Sequence, residues 1–381
     1  MKYIPYLLFS LSMLFFSCFI NPINNSDNIK GLYSIQNNGL YYSDIDSIGF
    51  EQISEINGIL NLHYIKHRDL LIASSRDKLY FINTTTNEII SEIDIPRTSG
   101  LDGDIASSYV YMFSHPTNDD YCILCNCSIF QINLNTFSIE EVLWNILEVE
   151  EAEEAKTGNE YSLYMHSVAQ SPDQNNLYLQ FTIQGTFPIG NDLEIRRAIK
   201  NHLMSYDILQ DSMYSIIDYP LENNGFAGSK YIYCNDENVL PYDPNTNSII
   251  RIPTSDLFDT SLRDTVIFNN DLVFFNDSYS GINFSYVQYP YSGSFYKIKS
   301  SGAVNRYMEL DYSRSEFAYE DTIVYGPAIY GTTYQKLEGG DVYACVPFTT
   351  DTTAVLVNLS RKTIIKEFKS DFFQTILIVE K

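Results

Sequence analysis

The feature that most constrains the fold is a hairpin pattern that recurs along the chain. An apolar run, a short polar turn and a second apolar run form YFINTTTNEII (80–90), and similar segments are FQINLNTFSIE (130–140), LPYDPNTNSII (240–250) and VLVNLSRKTII (355–365). Apolar runs rich in β-branched and aromatic residues, bounded by Asn, Asp, Ser and Gly, are typical of β-strands. Repetition on this scale indicates that one structural unit is built several times.

The turn of each unit is marked by an Asn or Asp, whose short side chain can bond the backbone two residues on. We interpret this residue as the turn between the last two strands of a unit. The seven candidates are Asp44, Asn83, Asn133, Asp207, Asp243, Tyr289 and Asn358, where Tyr289 is the exception. Their mean separation of about 52 residues fits a four-stranded unit with variable loops.

Further apolar runs accompany these turns. Residues 62–93 and 108–143 each contain four, and related sets occupy 230–253, 265–300 and 323–368. In these three sets the runs TVIF (265–268) and TIVY (322–325) are taken as first strands. Strands do not alternate with long amphipathic helices, which disfavours a parallel α/β fold.

The two ends of the chain complete the pattern. Only three strands are predicted near the N-terminus, at 31–36, 39–44 and 50–56, and an extra strand is predicted at 374–381. A ring hides its last sheet edge when one sheet is shared between the two termini. The sequence therefore predicts an all-β fold over residues 30–381, a seven-bladed β-propeller closed by pairing of N- and C-terminal strands. A six- or eight-bladed propeller and two β-sandwiches are the alternatives.

One hairpin resembles a known repeat. The widest unit, about 161–219, contains SPDQNNLYL (171–179), which is similar to the SPDG-type hairpin of YVTN and related WD-repeat-like β-propellers, with Gln174 in place of the glycine. This resemblance also implies a propeller.

The N-terminal segment has the layout of a secretory signal, with one lysine followed by an apolar run. Phe15-Phe16-Ser17-Cys18 resembles a bacterial lipobox, which implies a signal peptide over 1–17, a lipidated Cys18 and a polar tether over 18–29. A plain secretory signal and an uncleaved anchor are the alternatives. The resemblance places the protein in the bacterial cell envelope, at the outer membrane or the periplasmic face, held by its N-terminal lipid.

The composition limits the classes of partner that we expect this protein to bind. A net charge of −24, with no basic block, disfavours nucleic acid and anionic lipid headgroups. We expect a non-catalytic binding scaffold for a protein or glycan partner, with no cofactor and no metal. A propeller enzyme, such as a glycoside hydrolase or lyase acting at the channel mouth, is the alternative, although no catalytic residue can be assigned.

Two segments and a set of cysteine and histidine residues are candidate sites. The insertion GTFPIGNDLEIRRAIKNHL (185–203) lengthens a hairpin of the fourth unit and is the first place to expect binding. The acidic run 148–156 is interpreted as a solvated surface. Core or surface positions, rather than a metal site, are expected for the remaining cysteines and the histidines, which are Cys122, Cys125, Cys127, Cys234, Cys345, His63, His67, His115, His166 and His202.

Overall fold

The protein is described by a computed structural model. The described residues are 28–36, 39–47, 49–75, 77–96, 110–126, 128–145, 161–171, 173–189, 193–220, 231–234, 238–243, 248–267, 286–288, 294–298, 304–309, 316–319, 322–325, 333–337, 340–348, 353–369 and 375–381. Cys18, the whole segment 1–27, Cys127, the acidic run 148–156 and Tyr289 lie outside them.

The described chain folds into antiparallel β-sheets, numbered here in chain order. Sheet 1 contains β29 (Thr375–Glu380), β1 (Ile29–Gln36), β2 (Gly39–Asp44) and β3 (Glu51–Ser54). Sheet 2 contains β4 (Ile59–Ile65), β5 (Leu70–Ser75), β6 (Lys78–Asn83) and β7 (Glu88–Asp94). Sheet 3 contains β8 (Tyr111–Ser114), β9 (Tyr121–Cys125), β10 (Ser128–Asn133) and β11 (Ser138–Asn145).

The next two sheets also have four strands each. They are sheet 4, with β12 (Tyr161–Gln170), β13 (Asn176–Ile189), β14 (Leu193–Asp207) and β15 (Ser212–Pro220); and sheet 5, with β16 (Tyr231–Cys234), β17 (Asn238–Asp243), β18 (Ser248–Pro253) and β19 (Asp264–Ile267).

The last three sheets differ in size. They are sheet 6, with β20 (Tyr286–Gln288), β21 (Ser294–Ile298) and β22 (Val304–Glu309); sheet 7, with β23 (Glu316–Tyr319) and β24 (Thr322–Tyr325); and sheet 8, with β25 (Thr333–Lys336), β26 (Val342–Phe348), β27 (Thr353–Asn358) and β28 (Thr363–Lys369).

The strands of sheet 1 come from both ends of the chain. β29 pairs with β1 in an antiparallel register in which Tyr33 lies opposite Leu377 and Ser34 opposite Ile376. The N-terminal segment supplies the other three strands of this sheet, as the sequence predicts. β1 begins at Ile29, one residue before the predicted start of the domain.

Consecutive sheets pack face to face. Each buried apolar cluster joins two neighbouring sheets, in the order 8–1, 1–2, 2–3, 3–4 and 4–5. The cluster between sheets 8 and 1, for example, contains Leu356 and Phe368 of sheet 8 with Leu32 and Ile378 of sheet 1. No sheet can bury both of its faces alone, so each depends on its neighbours.

The sheets are arranged radially. Their first strands contact one another, with β25 against β29, β29 against β4, β4 against β8 and β12 against β16. The fourth strands are largely exposed, as the alternating exposure of β7 shows. Four-stranded meanders that converge on their first strands have the architecture of β-propeller blades.

The sequence places two strands wrongly. TVIF is not the first strand of a new unit, because β19 pairs with β18 as the fourth strand of sheet 5. Asp243 therefore lies between the second and third strands of its sheet. TIVY pairs with β23 in the separate sheet 7, and the first strand of sheet 8 is β25.

Candidate interaction surfaces at the two ends of the sheets

Polar side chains on the first strands hydrogen-bond to the backbone of the neighbouring sheet. Gln335 on β25 donates from Nε2 to the Ile378 carbonyl (2.8 Å), and its Oε1 accepts from the Ile378 amide (2.8 Å). Asn61 on β4 donates to the carbonyl of Val110 (2.8 Å), and Gln170 on β12 to that of Ser114 (3.0 Å). Each bond satisfies a backbone group of the neighbouring sheet, so these side chains join the blades.

One polar atom on a first strand has no such partner. His63 on β4 is partly buried as a residue, but its Nε2 is shielded from solvent and makes no hydrogen bond. Burial lowers the pKa of His63 from its ordinary value of 6.5 to about 4. The imidazole is therefore neutral at pH 7.

One end of the sheets is formed by the turns between first and second strands and between third and fourth strands; we call it the turn face. Its third-to-fourth turns begin at an Asn or Asp in sheets 1, 2, 3, 4 and 8. The Oδ1 atom of Asn83, Asn133 and Asp207 accepts from backbone amides two and three residues on, at 2.8–3.2 Å. The predicted turn role is confirmed for these three residues.

The turn face repeats from sheet to sheet. The residue four positions after the Asx lies in the left-handed region, with φ from 48° to 59°, at Asn87, Phe137, Asp211 and Lys362. In sheets 2, 3 and 4 the third-to-fourth turn is also tied to the preceding turn of its sheet, as in the bond from the Thr84 amide to the Asp69 carbonyl (2.8 Å).

Both ends of the described chain lie on the turn face. The amide of Lys381 donates to the carbonyl of Asn28 (2.9 Å), where the other sheets have their first turn. Lys30 and Tyr33 then reach the adjacent turn of sheet 2, at the carbonyl of Thr84 (3.2 Å) and Oδ1 of Asn87 (2.5 Å).

The opposite end carries the second-to-third turns and the connections between sheets, and we call it the hairpin face. Its main feature is the β13–β14 hairpin, whose strands have 14 and 15 residues, against six each in β5 and β6. At about 3.3 Å per residue, eight additional residues extend the hairpin by about 26 Å. The predicted lengthening over 185–203 is confirmed.

The described histidines do not come together in one site. His67 lies in an exposed 3₁₀ turn, with Nε2 3.2 Å from the carbonyl of Asp119, and does not share a strand face with His63. Burial lowers the pKa of His115, and His202 stacks on Phe181 at 5.2 Å. Within the described ranges, no three His, Cys, Asp or Glu side chains are placed to hold a metal ion. No helix in the same ranges could cross a membrane.

Four cysteines fill the interfaces between sheets. Cys122 packs between sheets 2 and 3, and Cys125 on the other face of β9 packs between sheets 3 and 4. Cys234 and Cys345 are also buried, and none of these four cysteines forms a disulfide. Burial raises the pKa of the Cys122 thiol well above its ordinary value. The predicted core positions are confirmed for these four.

One exposed cluster was missed by the sequence reasoning. Tyr214 of sheet 4 contacts Phe258, which follows β18 of sheet 5, and Leu209 and Leu262 are exposed on the same two segments of the chain; we call these four residues the rim patch. The signal was present, because Phe258 and Leu262 interrupt a segment otherwise rich in Ser, Thr and Asp.

Comparisons with known proteins bear on the fold. No family model matches the chain, and no curated protein is similar to it. A crystal structure of a protein from Lactobacillus plantarum is similar with a TM-score of 0.53 and 9% identity, over 93% of this chain and 100% of that one.

Two other solved structures are more distant. The dihydro-heme d1 dehydrogenase NirN has a TM-score of 0.42 and 11% identity, over 81% of this chain but only 55% of that one. The Dos1 propeller has a TM-score of 0.35 and 11% identity, over 90% of this chain and 68% of that one. Identities this low concern the fold alone. The similarity to the Lactobacillus plantarum structure and the radial arrangement of the sheets support an all-β fold of the propeller type.

Proposed function

We propose that this chain is a lipid-anchored envelope protein whose β-propeller binds a protein or glycan partner through its hairpin face, without catalysis. The observation that carries this proposal is the position of the long hairpin relative to the chain ends. The β13–β14 hairpin extends from one end of the sheets, and Asn28 and Lys381 lie at the other. Binding segments usually project as long loops or hairpins from a rigid scaffold.

The proposal includes a closed ring of seven blades. The packed interfaces already run without a break from sheet 8 through sheet 5. Sheet 6 supplies the next blade, whereas the two strands of sheet 7 span only residues 316–325 and are better understood as an inserted hairpin. Seven blades thus account for eight sheets.

Anchoring at Cys18 would orient the two faces. Asn28 lies ten positions after Cys18, and an extended chain of that length reaches about 35 Å at most. The tether enters at the turn face, so that face would lie toward the membrane and the hairpin would point away from it. Two acyl chains suffice for stable attachment.

The anchor is tested by Cys18→Ala. We expect this variant to remain unprocessed and to lose labelling by a palmitate analogue, while the parent is labelled and sediments with membranes. Processing and labelling equal to the parent would refute the lipoprotein assignment and leave the binding proposal untouched.

Partner binding is tested by site-specific photo-cross-linking in intact cell envelopes. A benzophenone amino acid is placed at Phe187 in the hairpin or, as control, at Val142, an exposed position on the outer strand β11. A discrete adduct is expected from position 187 and none from 142, and the protein or glycan nature of the adduct follows from protease and glycosidase digestion. Equal labelling from both positions would contradict the proposal.

A further inference from the structure

The large apolar side chains exposed by the described residues are unevenly distributed. Eight are known, and four of them form the rim patch. The other four lie on the fourth strands of sheets 2, 3 and 8 and are Ile89, Ile90, Val142 and Ile364. Single exposed apolar residues are ordinary, whereas contiguous exposed apolar patches are common at sites of protein–protein contact.

The rim patch is held in place by hydrogen bonds. Arg263 donates from Nη2 to the carbonyls of Ile216 (3.0 Å) and Leu257 (2.9 Å), which fastens the segment after β18 onto β15 of the neighbouring sheet. Leu257 packs against the core between sheets 4 and 5. The seam is therefore a built junction between two blades.

Local turns direct Phe258 outward. Oδ1 of Asp256 accepts from the amides of Phe258 and Asp259, each at 3.1 Å, and Oδ1 of Asp259 accepts from the Ser261 amide (2.8 Å). Phe258 is 56% exposed and meets Tyr214 edge to face, with ring centroids 6.2 Å apart. Such aromatic pairs are rigid and bury a large area on contact.

The surroundings of the patch are acidic. The adjoining segments 204–216 and 250–265 contain five aspartates and two arginines. Arg251 forms an ion pair with Asp264, and Arg263 is directed to backbone carbonyls. Asp211 and Asp256 are exposed on these segments, whereas Asp259 is half-buried and interacts electrostatically with Arg263. The two segments therefore carry an excess of negative charge beside the aromatic pair.

We propose that the rim patch binds a segment of a partner protein that carries apolar side chains flanked by lysine or arginine. The apolar residues of that segment would cover Phe258 and Tyr214, and its cations would meet the aspartates. An anionic lipid surface is disfavoured by the same aspartates, and a second copy by a net charge of −24. This site is separate from the hairpin face, so either proposal can fail without the other.

The test uses a fluorescent synthetic peptide of leucine and phenylalanine flanked by lysines. Binding to the full chain is measured by anisotropy, beside two control peptides in which serine replaces the apolar residues or glutamate replaces the lysines. The Tyr214→Ser/Phe258→Ser variant should bind the first peptide about thirtyfold more weakly than the parent. Val142→Ser, which removes an equally exposed but isolated side chain, should change binding by less than about twofold.

A second variant guards against loss of folding. Leu262→Lys keeps the aromatic pair, places a positive charge on the patch and should also weaken binding of the lysine peptide, with an unfolding temperature close to that of the parent. The proposal is overturned if the double variant binds like the parent, or if the serine or glutamate peptide binds equally well. It is also overturned if sedimentation shows a dimer that the double variant loses, or if vesicles of anionic lipid bind through the same residues.

Discussion

The turn face and the hairpin face are built from the same strands but follow different rules. On the turn face, Asn83, Asn133 and Asp207 close nearly identical turns, and backbone bonds tie each turn to its neighbour. On the hairpin face, the second and third strands vary in length, from six residues each in β5 and β6 to 14 and 15 residues in β13 and β14. Repetition on one face fixes the scaffold, and variation on the other can serve recognition without cost to the core.

The largest expected effect comes from removing β29, the strand that the C-terminal segment adds to sheet 1. Deleting residues 374–381 removes four buried side chains, Ile376 to Val379. At about 1.5–3 kcal/mol each, their loss is about 6–12 kcal/mol, similar to the whole stability of a domain. We expect no soluble folded protein, as judged by circular dichroism and gel filtration. Deleting Lys381 alone is the control and should leave the protein folded.

Acid should destabilise the folded protein through His63, which lies on β4, the first strand of sheet 2. The pKa of His63 is lowered to about 4 in the folded chain and is about 6.5 when unfolded. Between pH 6.5 and pH 4, His63 is protonated in the unfolded state but stays neutral in the folded state. The free energy of unfolding therefore falls as the pH drops through this range. The parent should lose up to about 3 kcal/mol relative to His63→Gln over this range.

Denaturant titrations of the parent and the His63→Gln variant at several pH values check this prediction. Taking the difference between the two proteins cancels the carboxylates that both share. A difference that does not vary with pH would show that His63 is solvated in the folded protein.

Turn-face side chains should matter for stability. Asn83→Ala removes the acceptor of two backbone amides at Thr85 and Thr86, and we expect a loss of about 1–2 kcal/mol. Thr85→Ala is the matched control, because Thr85 contributes its backbone amide to the turn and its side chain is exposed. If urea unfolding shows the same loss of free energy for both substitutions, the Asn83 side chain does not stabilise the turn face.

Shortening the long hairpin should have the smallest effect on stability. Gly185 lies opposite Arg197, so replacing residues 186–196 by Asn-Gly leaves a pair of positions that a two-residue turn can join. We expect the free energy of unfolding to change by less than about 1 kcal/mol, while cross-linking at the hairpin face is lost. A large destabilisation would mean that the hairpin belongs to the core.

The sequence predicts best where the structural cause is local. Asn83 and Asn358 mark turns because an Asx side chain bonds its own backbone, whatever surrounds it. Such a turn does not reveal which hairpin of a sheet it closes, and Asp243 was assigned to the wrong one for that reason. Apolar runs of four residues look alike at the first and fourth positions of a blade, which misplaced TVIF.

Non-local causes were harder to read. The first strand of sheet 8, TYQK, is polar because Gln335 bonds the backbone of β29, 43 residues away, and it therefore lacks the pattern of a buried strand. The rim patch depends on two sheets meeting at Tyr214 and Phe258, 44 positions apart. Neither contact is encoded in a short window of sequence.

The register of β29 on β1 places the chain ends on the turn face, and a disulfide tests it most directly. Ser34→Cys/Ile376→Cys joins two positions that lie opposite each other, whereas Ser34→Cys/Leu377→Cys joins side chains on opposite faces of the sheet. Under mild oxidation, the first pair should form an intramolecular disulfide that shifts mobility on a non-reducing gel, and the second should not. If the second pair couples as readily, or the first does not couple in folded protein, the ends do not share sheet 1 as described.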